Sequence, residues 1–275
     1  MIRIAVAVAT VDAMPDAFVV WRGIEDSIRK AAAFGYDGIE LALQTAGQVD
    51  AARVEALLAE YGLACPCVST GQVFAGLGLC FTATEPEKRA AVIRVFKELI
   101  DLAERLDAMV NIGRARGFVE PGESREHAET RFVAVARELA AYAQPKDVTL
   151  LLEPVNRYEI NFINSVAEGT ALIDKVGAPN LALMPDLFHM NIEDRSLGGA
   201  LEEHADRVAY VHFADSNRLA PGQGHTDFQA VFAALKRMNY DGWISVEILP
   251  RPDPDSAARQ AIEHLRPLID EFNRA

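Results

Sequence analysis

The sequence has few cysteines and few basic residues for its length. Only Cys65, Cys67 and Cys80 occur among 275 residues, and this small, odd number indicates reduced thiols rather than a disulfide framework. Lysine and arginine total 27 against 40 aspartates and glutamates, which gives a net charge of −13. Because an anionic surface repels phosphate, we expect neither a nucleic-acid partner nor a membrane partner.

Long apolar runs are also absent. The apolar start of the chain is interrupted by Asp12 and Pro15, so it is too short for a signal peptide or a membrane-spanning helix. We therefore expect a cytoplasmic protein. Half of the residues are hydrophobic, which is enough for a large core, and no glycine-, serine- or proline-rich linker divides the chain. These features predict one domain over residues 1–275.

Short segments rich in β-branched residues alternate with longer segments of helical periodicity. Eight strands are predicted, at residues 4–9, 38–43, 64–69, 109–113, 149–153, 181–186, 208–215 and 243–249. A helix follows each strand, at residues 24–34, 50–61, 86–106, 124–143, 165–176, 197–204, 228–238 and 255–272. Because (β/α)8 barrels usually have about 250 residues, the predicted fold class is α/β, a single-domain (β/α)8 TIM barrel. Pro66 lacks the N–H that a ladder needs, which predicts an irregular third strand.

Four consecutive predicted strands carry a polar residue at or near their carboxyl ends: Glu153, Asp186, His212 and Glu247. In such barrels the active site lies at these strand ends. Buried charges are costly when bare, whereas one divalent metal compensates all of them. Three carboxylates and an imidazole suit Mn²⁺ or Mg²⁺, with Co²⁺ and Zn²⁺ as further options. Taken singly, each residue has a plain alternative role in an ion pair or a turn cap.

The loops after these strands add further polar side chains. Glu159, His189 and Arg218 lie on the face expected to be catalytic, although a surface ion pair or a loop hydrogen bond is an alternative for each. His225 either lines the same pocket or caps a turn. The nearby Gly-Gln-Gly segment at 222–224 lacks the spacing of a dinucleotide fingerprint, which must open a helix directly after a strand. We therefore predict no nucleotide cofactor.

Three motifs in this region carry a family resemblance. They are EPVNRYE at 153–159, DLFHMNIE at 186–193, and VHFADSNR followed by PGQGH within 211–225. On these motifs, the sequence resembles the xylose-isomerase-like sugar isomerase/epimerase superfamily over nearly its full length. Within it, the sequence is most similar to the ketose 3-epimerases, of the D-tagatose/D-psicose 3-epimerase and 5-keto-gluconate epimerase type.

The resemblance implies a role for each candidate residue. It implies that one divalent metal, Mn²⁺ in most of the family, is bound by Glu153, Asp186, His212 and Glu247. It implies that the catalytic acid/base pair is Glu153 and Glu247. It also implies that a small-molecule sugar substrate is contacted by Glu159, His189, Arg218 and Cys67. Members of the family are commonly dimers or tetramers, so we expect a homodimer or a homotetramer.

Two features bear on the identity of the substrate. The segment 110–117 is most similar to the 5-keto-gluconate epimerase branch, which predicts that Arg114 or Arg116 meets a substrate carboxylate. The sequence departs from the family where Pro185-Asp186-Leu187 replaces the common Leu-Asp-Thr. This change removes a hydroxyl group next to a predicted metal ligand.

Residues and resemblance together predict a sugar epimerase. Inverting C3 of a ketose or keto-sugar acid requires a proton to leave the carbon beside the carbonyl and another to arrive on the opposite face, through a cis-enediolate. Two glutamates beside a metal provide the acid and the base.

Three alternatives remain. An aldose–ketose isomerase of the hydroxypyruvate isomerase type would use the same metal site. An endonuclease of the endonuclease IV type would need more ligands and a basic surface, against six histidines and a net charge of −13. A non-catalytic sugar-binding protein would not need the two acid/base glutamates.

Overall fold

Parallel strands form a nearly closed barrel in the computed structural model, which describes residues 1–14 and 17–274. Nine strands lie in these residues: β1 Arg3–Ala9, β2 Trp21–Arg22, β3 Gly38–Ala42, β4 Ala64–Ser69, β5 Met109–Ile112, β6 Leu150–Leu152, β7 Leu181–Leu183, β8 Tyr210–Phe213 and β9 Trp243–Val246. Eight of them follow the order β7-β6-β5-β4-β3-β1-β9-β8, and β2 pairs with β1. Two isolated parallel bridges, Leu183 to Val208 and Asp186 to His212, link the ends of this path. The prediction of a single (β/α)8 barrel is confirmed, and its span over residues 1–275 stays a prediction.

Helices follow the strands along the chain. In the described residues they are α1 Ile24–Phe34, α2 Ala51–Tyr61, α3 Gly71–Leu77, α4 Pro86–Leu106, α5 Arg125–Ala143, α6 Val166–Val176, α7 Leu187–Glu193, α8 Leu197–Glu203, α9 Phe228–Arg237 and α10 Pro254–Arg274. All eight predicted helices are present, with ends shifted by at most two residues. The sequence prediction missed β2, α3 and α7, three short elements that each lie between a barrel strand and the helix predicted to follow it. Among the helices of residues 1–14 and 17–274, none combines the length and the apolar character of a membrane span.

The core has two layers because side chains alternate between the two faces of each strand. In β1, Ile4 and Val6 face outward into the main core, whereas Ala5 and Ala7 belong to small clusters inside the barrel. The lower interior is filled by a compact group: Ala5, Cys67, Leu151, Met184, Tyr210 and Trp243. This group seals the amino-terminal end of the barrel, and the small alanines leave space above it.

The third barrel strand, β4, is irregular, as its proline predicts. Gly38 of β3 pairs with Ala64, but Glu40 pairs with Cys67, so β4 contains one extra residue between these two pairs. Pro66 lies in this extra length, where the missing N–H does not break a regular ladder. The shift places Glu40 beside the inward-facing Cys67.

Several predicted strands are longer than the observed ladders. The strands predicted to end at Glu153, Asp186 and Leu249 stop at Leu152, Leu183 and Val246 instead. The polar residues at these ends lie beyond the last regular ladder positions. They are therefore free to turn toward the axis at the carboxyl end of the barrel.

Candidate active site

Four predicted metal ligands converge at the carboxyl end of the barrel. Glu153 and Glu247 directly follow β6 and β9, His212 lies in β8, and Asp186 follows β7 by three residues. One ligand atom from each of them lies within 4.8 Å of the others. The structure thus brings together all four residues that the sequence singled out.

Burial and mutual charge shift the pKa values of this cluster in different directions. Burial raises the pKa of Glu247 to about 8, and the nearby Glu153 and Asp186 add to the rise while His212 and Arg218 oppose it. Burial acts the same way on Glu153, but the hydrogen bond and charge of His212 outweigh it and lower its pKa to about 2. Burial lowers the pKa of His212, yet the carboxylates around it raise that pKa well above its ordinary value.

The donor atoms of the cluster fit a divalent cation. Asp186 Oδ1 accepts a hydrogen bond from the Phe188 amide at 2.8 Å, whereas its buried Oδ2 has no hydrogen-bond partner in the described residues. The buried Nδ1 of His212 also lacks a hydrogen-bond partner there and lies 3.3 Å from Glu153 Oε1. Buried polar atoms are normally paired. Oxygen and imidazole donors aimed at one point suit Mn²⁺, Mg²⁺ or a similar ion.

Arg218 joins this cluster to the predicted substrate-binding residues. Its guanidinium group donates to Glu247 Oε2 at 2.6 Å and to Glu159 Oε1 at 3.3 Å. The group is buried and lies between the rings of Phe18 and Phe188, at 3.7 and 4.7 Å from their centroids. Two aromatic faces and two carboxylates fix this cation in one position beside the cluster.

His189 faces the same centre from α7. Its Nε2 lies 3.6 Å from Asp186 Oδ2 and 4.0 Å from Glu153 Oε1. On the other side of the ring, Nδ1 lies 2.8 Å from the amide nitrogen of Asn156, which also donates to Glu159. Burial, helped by the charge of Arg218, lowers the pKa of His189 well below its ordinary value. The imidazole is therefore neutral near pH 7 and presents Nε2 to the centre.

These side chains border one cavity at the mouth of the barrel. The space inside it, counted together with the part open to solvent, is about 490 Å³. Its wall contains acidic, basic, polar and apolar residues: Glu153, Glu159, Glu247, Arg114, Arg218, His189, Ser69, Gln72, Gly71, Ala17, Phe18, Val19, Ala42 and Val155. The combination of a few charged groups with an apolar wall is typical of a site for a polar ligand.

Cys67, predicted to contact a substrate, does not line this cavity within the described residues. It is fully buried in the lower interior of the barrel, in the same cluster as Leu151, Met184 and Tyr210. Burial raises the pKa of its thiol well above the ordinary value. Cys67 therefore packs beneath the site as a small neutral side chain, and its predicted substrate contact is not supported by its position.

The two arginines at 114 and 116 have different positions. Arg114 lies in the cavity wall, whereas Arg116 is fully buried. The guanidinium group of Arg116 donates to the carbonyl oxygens of Phe162, Gly113, Glu153 and Ile163 at 2.7–3.1 Å. Arg116 therefore braces the backbone behind Glu153, and only Arg114 is placed to meet a ligand.

His225 is exposed at the surface. Its ring forms a hydrogen bond with Ser216 at 2.7 Å, and its backbone amide donates to the same hydroxyl at 3.0 Å. Of the two roles that the sequence left open, the structure favours the turn cap.

Sequence reasoning missed one charged residue under the cluster. Glu40, in the middle of β3, is fully buried and lies 3.0 Å from His212 Nε2. The signal was available, because Glu40 is the only charged residue in the apolar strand sequence GIELA. It was overlooked because Glu40 lies away from the four strands that carry the predicted ligands.

Comparison with known proteins gives the family. The family model of the xylose isomerase-like TIM barrel matches residues 28–268. An L-ribulose 3-epimerase from Methylomonas sp. is 35% identical over 82% of this chain and 78% of its own length. A ketose 3-epimerase from Arthrobacter globiformis is 30% identical over 82% of this chain and 77% of its own length.

A solved structure agrees with these relatives. The crystal structure of D-allulose 3-epimerase from Methylomonas sp. in complex with D-allulose has a TM-score of 0.83 and 30% identity, covering 97% of this chain and 96% of that chain. These named relatives are sugar epimerases, and the predicted isomerase class is thereby confirmed. The chain belongs to the xylose isomerase-like TIM barrel family.

Proposed function

We propose that this protein inverts C3 of a ketose or a keto-sugar acid with the help of one divalent metal. The observation that carries the proposal is the pair Glu153 and Glu247, whose carboxylates face one cavity from two strands separated by β7 and β8. Relatives that are named ketose 3-epimerases support C3 as the reacting carbon.

The glutamate pair suits the proton transfers of this reaction. A proton must leave C3, which is acidified by the neighbouring carbonyl, and another must reach the opposite face of the resulting cis-enediolate. One carboxylate of the Glu153 and Glu247 pair removes the proton, and the other returns one. Acid–base transfer of this kind contributes about 10²–10⁴-fold to the rate.

A divalent metal held by Glu153, Asp186, His212 and Glu247 would supply a Lewis acid that stabilises negative charge developing on the sugar oxygens. We propose Mn²⁺ as this metal and propose no nucleotide cofactor. The unpartnered Asp186 Oδ2 and His212 Nδ1 support a metal at this point.

We assign substrate binding to Glu159, His189 and Arg218. The guanidinium group of Arg218 and Nε2 of neutral His189 lie next to the acid/base pair, and Glu159 is held by Arg218 and Asn156. These contacts would orient the oxygens around C1 to C3 and hold C3 between the two carboxylates. A homodimer or homotetramer remains part of the proposal and is testable by light scattering.

The direct test follows deuterium during turnover. The protein is incubated in D₂O with Mn²⁺ and a panel of ketoses and keto-sugar acids, and NMR locates deuterium at each carbon. Deuterium at C3 of an inverted product supports the proposal and identifies the substrate. Deuterium at C1 or C2 with a displaced carbonyl overturns it in favour of aldose–ketose isomerisation.

Glu247→Gln tests the acid/base assignment. Because the amide cannot exchange the proton, we expect kcat to fall by about 10²–10⁴-fold, with metal content measured in the same sample. The exposed Glu138→Gln on α5 is the matched control. Full activity of Glu247→Gln with the identified substrate would remove Glu247 from the acid/base pair.

A further inference from the structure

A further buried acidic residue lies directly beneath the proposed metal ligands. Glu40 pairs with Ala7 of β1 and Cys67 of β4, which puts it in the middle of the barrel wall. Its side chain is fully buried, and its two carboxylate oxygens lie 3.0 and 3.1 Å from His212 Nε2. It therefore contacts the imidazole on the side opposite the other ligands.

The hydrogen bonds around Glu40 show that its carboxylate is an acceptor. The Tyr210 hydroxyl donates to Glu40 Oε2 at 3.0 Å, and the Ser69 hydroxyl donates to Oε1. The carboxylate thus acts as an acceptor on both sides. With the carboxylate as acceptor, His212 must carry a proton on Nε2 to complete the bond between them.

This arrangement determines the orientation of the other imidazole nitrogen. His212 Nδ1 has no hydrogen-bond partner in the described residues and lies 3.3 Å from Glu153 Oε1 and 3.8 Å from Glu247 Oε2. A proton held on Nε2 leaves the Nδ1 lone pair as the group available to a cation. The ring orientation is fixed at the same time by the two contacts to Glu40.

A purely structural explanation of Glu40 is weak. Three other carboxylates already surround His212, so a fourth adds like-charge repulsion to a site that is costly to bury. Space alone does not require an acid, because the surrounding inner group includes apolar residues such as Ala5 and Leu151. The geometry accounts for a charged acceptor at this place, because Glu40 accepts a hydrogen bond from His212, a proposed metal ligand.

We propose that Glu40 is a positioning residue of the metal site, which holds His212 with its proton on Nε2 and directs Nδ1 at the metal. The inference rests on the proposed function, since it requires a metal at the four-residue cluster. Carboxylates that accept from a ligating histidine orient the ring and raise its basicity, and their loss typically costs about 10–100-fold in metal affinity.

Calorimetric titration of chelator-treated protein with Mn²⁺ tests this role without relying on activity. In Glu40→Gln, an amide nitrogen replaces one of the two carboxylate oxygens that face His212 Nε2. The hydrogen bond that the ring donates is therefore weakened. We expect Mn²⁺ to bind about 10–100-fold more weakly than in the unchanged protein. Tyr210→Phe is the matched control, because it removes a hydroxyl group that donates to the same carboxylate and keeps the hydrogen bond between Glu40 and His212.

The outcomes separate this inference from the proposed function. If the unchanged protein binds no Mn²⁺, the proposed function fails. If the unchanged protein binds Mn²⁺ and folded Glu40→Gln binds it equally well, Glu40 has no positioning role. A structural defect alone would also weaken Mn²⁺ binding in Tyr210→Phe, whereas a positioning role leaves that control close to the unchanged protein.

Two further measurements test the role of Glu40. In Zn²⁺-loaded protein, which is diamagnetic, ¹⁵N NMR should show the proton of His212 on Nε2; a proton on Nδ1 contradicts the proposal. If Glu40→Gln does not fold, Glu40→Asp replaces it, since it withdraws the carboxylate from Nε2 by one methylene. We expect about tenfold weaker Mn²⁺ binding in that variant, and unchanged binding overturns the inference.

Discussion

Arg116 illustrates how the partners of a single side chain decide its role. Its residue type predicts contact with an anionic ligand, but four backbone carbonyls accept its hydrogen bonds. One of them belongs to Ile163, whose φ of 60° is unfavourable for a β-branched residue. Arg116 therefore holds an unfavourable loop in place behind the Glu153 backbone.

Arg116→Met is expected to destabilise the protein strongly. The substitution leaves several buried carbonyls without donors, which we expect to lower the free energy of unfolding by about 3–5 kcal/mol. Urea unfolding followed by circular dichroism measures the change. Arg94→Met, at an exposed position of α4, is the control and should stay within about 0.5 kcal/mol. A loss below 1 kcal/mol for Arg116→Met would show that the loop keeps its shape without the guanidinium group.

Residue type alone predicted part of the site. Glu153 and Asp186 stood out because charged residues are rare in buried strands, and the structure places both in the cluster. The residue types of Cys67 and Arg116 do not predict which way these side chains point, because a thiol or a guanidinium group serves packing as well as binding. Which way each side chain points depends on neighbours that are distant in sequence.

At the scale of single elements, α7 carries two functions in seven residues. Its first turn is capped by Asp186, a proposed metal ligand, and the helix presents His189 to the cavity. Its end carries two adjacent carboxylates. Glu193 is paired with Arg157 at 2.6 Å, and this hydrogen bond lowers its pKa. Asp194 has a buried Oδ2 without a hydrogen-bond partner in the described residues.

The end of α7 predicts a pH-dependent contribution to stability. Burial, with the neighbouring Glu193, raises the pKa of Asp194 from 3.8 to about 6. A raised acid pKa favours the folded state while the group is protonated, so this contribution is present below pH 3.8 and is lost as the pH rises through about 6. Asp194→Asn does not ionise and keeps the neutral form.

We therefore expect Asp194→Asn to be more stable than the unchanged protein at pH 8, by about 1 kcal/mol after allowance for partial exposure. The difference should shrink toward pH 4. Urea unfolding at several pH values measures it, with the exposed Asp206→Asn as the control. A difference that does not change between pH 4 and pH 8 would contradict the role assigned to the Asp194 carboxyl group.

The elements themselves were predictable to different degrees. The long amphipathic helices α4 and α5 were located within one residue at either end, because their apolar positions repeat over five turns. The short α7 begins directly after a strand predicted to run to residue 186, and its apolar residues Leu187 and Met190 span only one turn, which is too little for a periodic pattern. The predicted strands are too long wherever a polar ligand follows the last ladder position.

At the scale of the whole molecule, the site is a product of the closed sheet. Its candidate ligands lie between residues 153 and 247, and the parallel barrel brings the ends of their strands to one point. This convergence was predictable, because parallel strands place all carboxyl ends on one face. The contact between Glu40 and His212 was not predictable from the sequence, because it joins β3 to β8 across the barrel interior.

The same geometry predicts that metal binding stabilises the entire fold. Because the unfolded chain does not hold the four ligands together, a metal binds the folded state selectively and adds about 2.7 kcal/mol at a concentration of 100 times its dissociation constant. For a chain of this size, we expect Tm to rise by about 5–10 °C. Calorimetry of chelator-treated protein with and without Mn²⁺ measures the shift. His212→Ala should lose the shift and Asp206→Asn should keep it; a shift that persists in His212→Ala would place the stabilising metal elsewhere in the molecule.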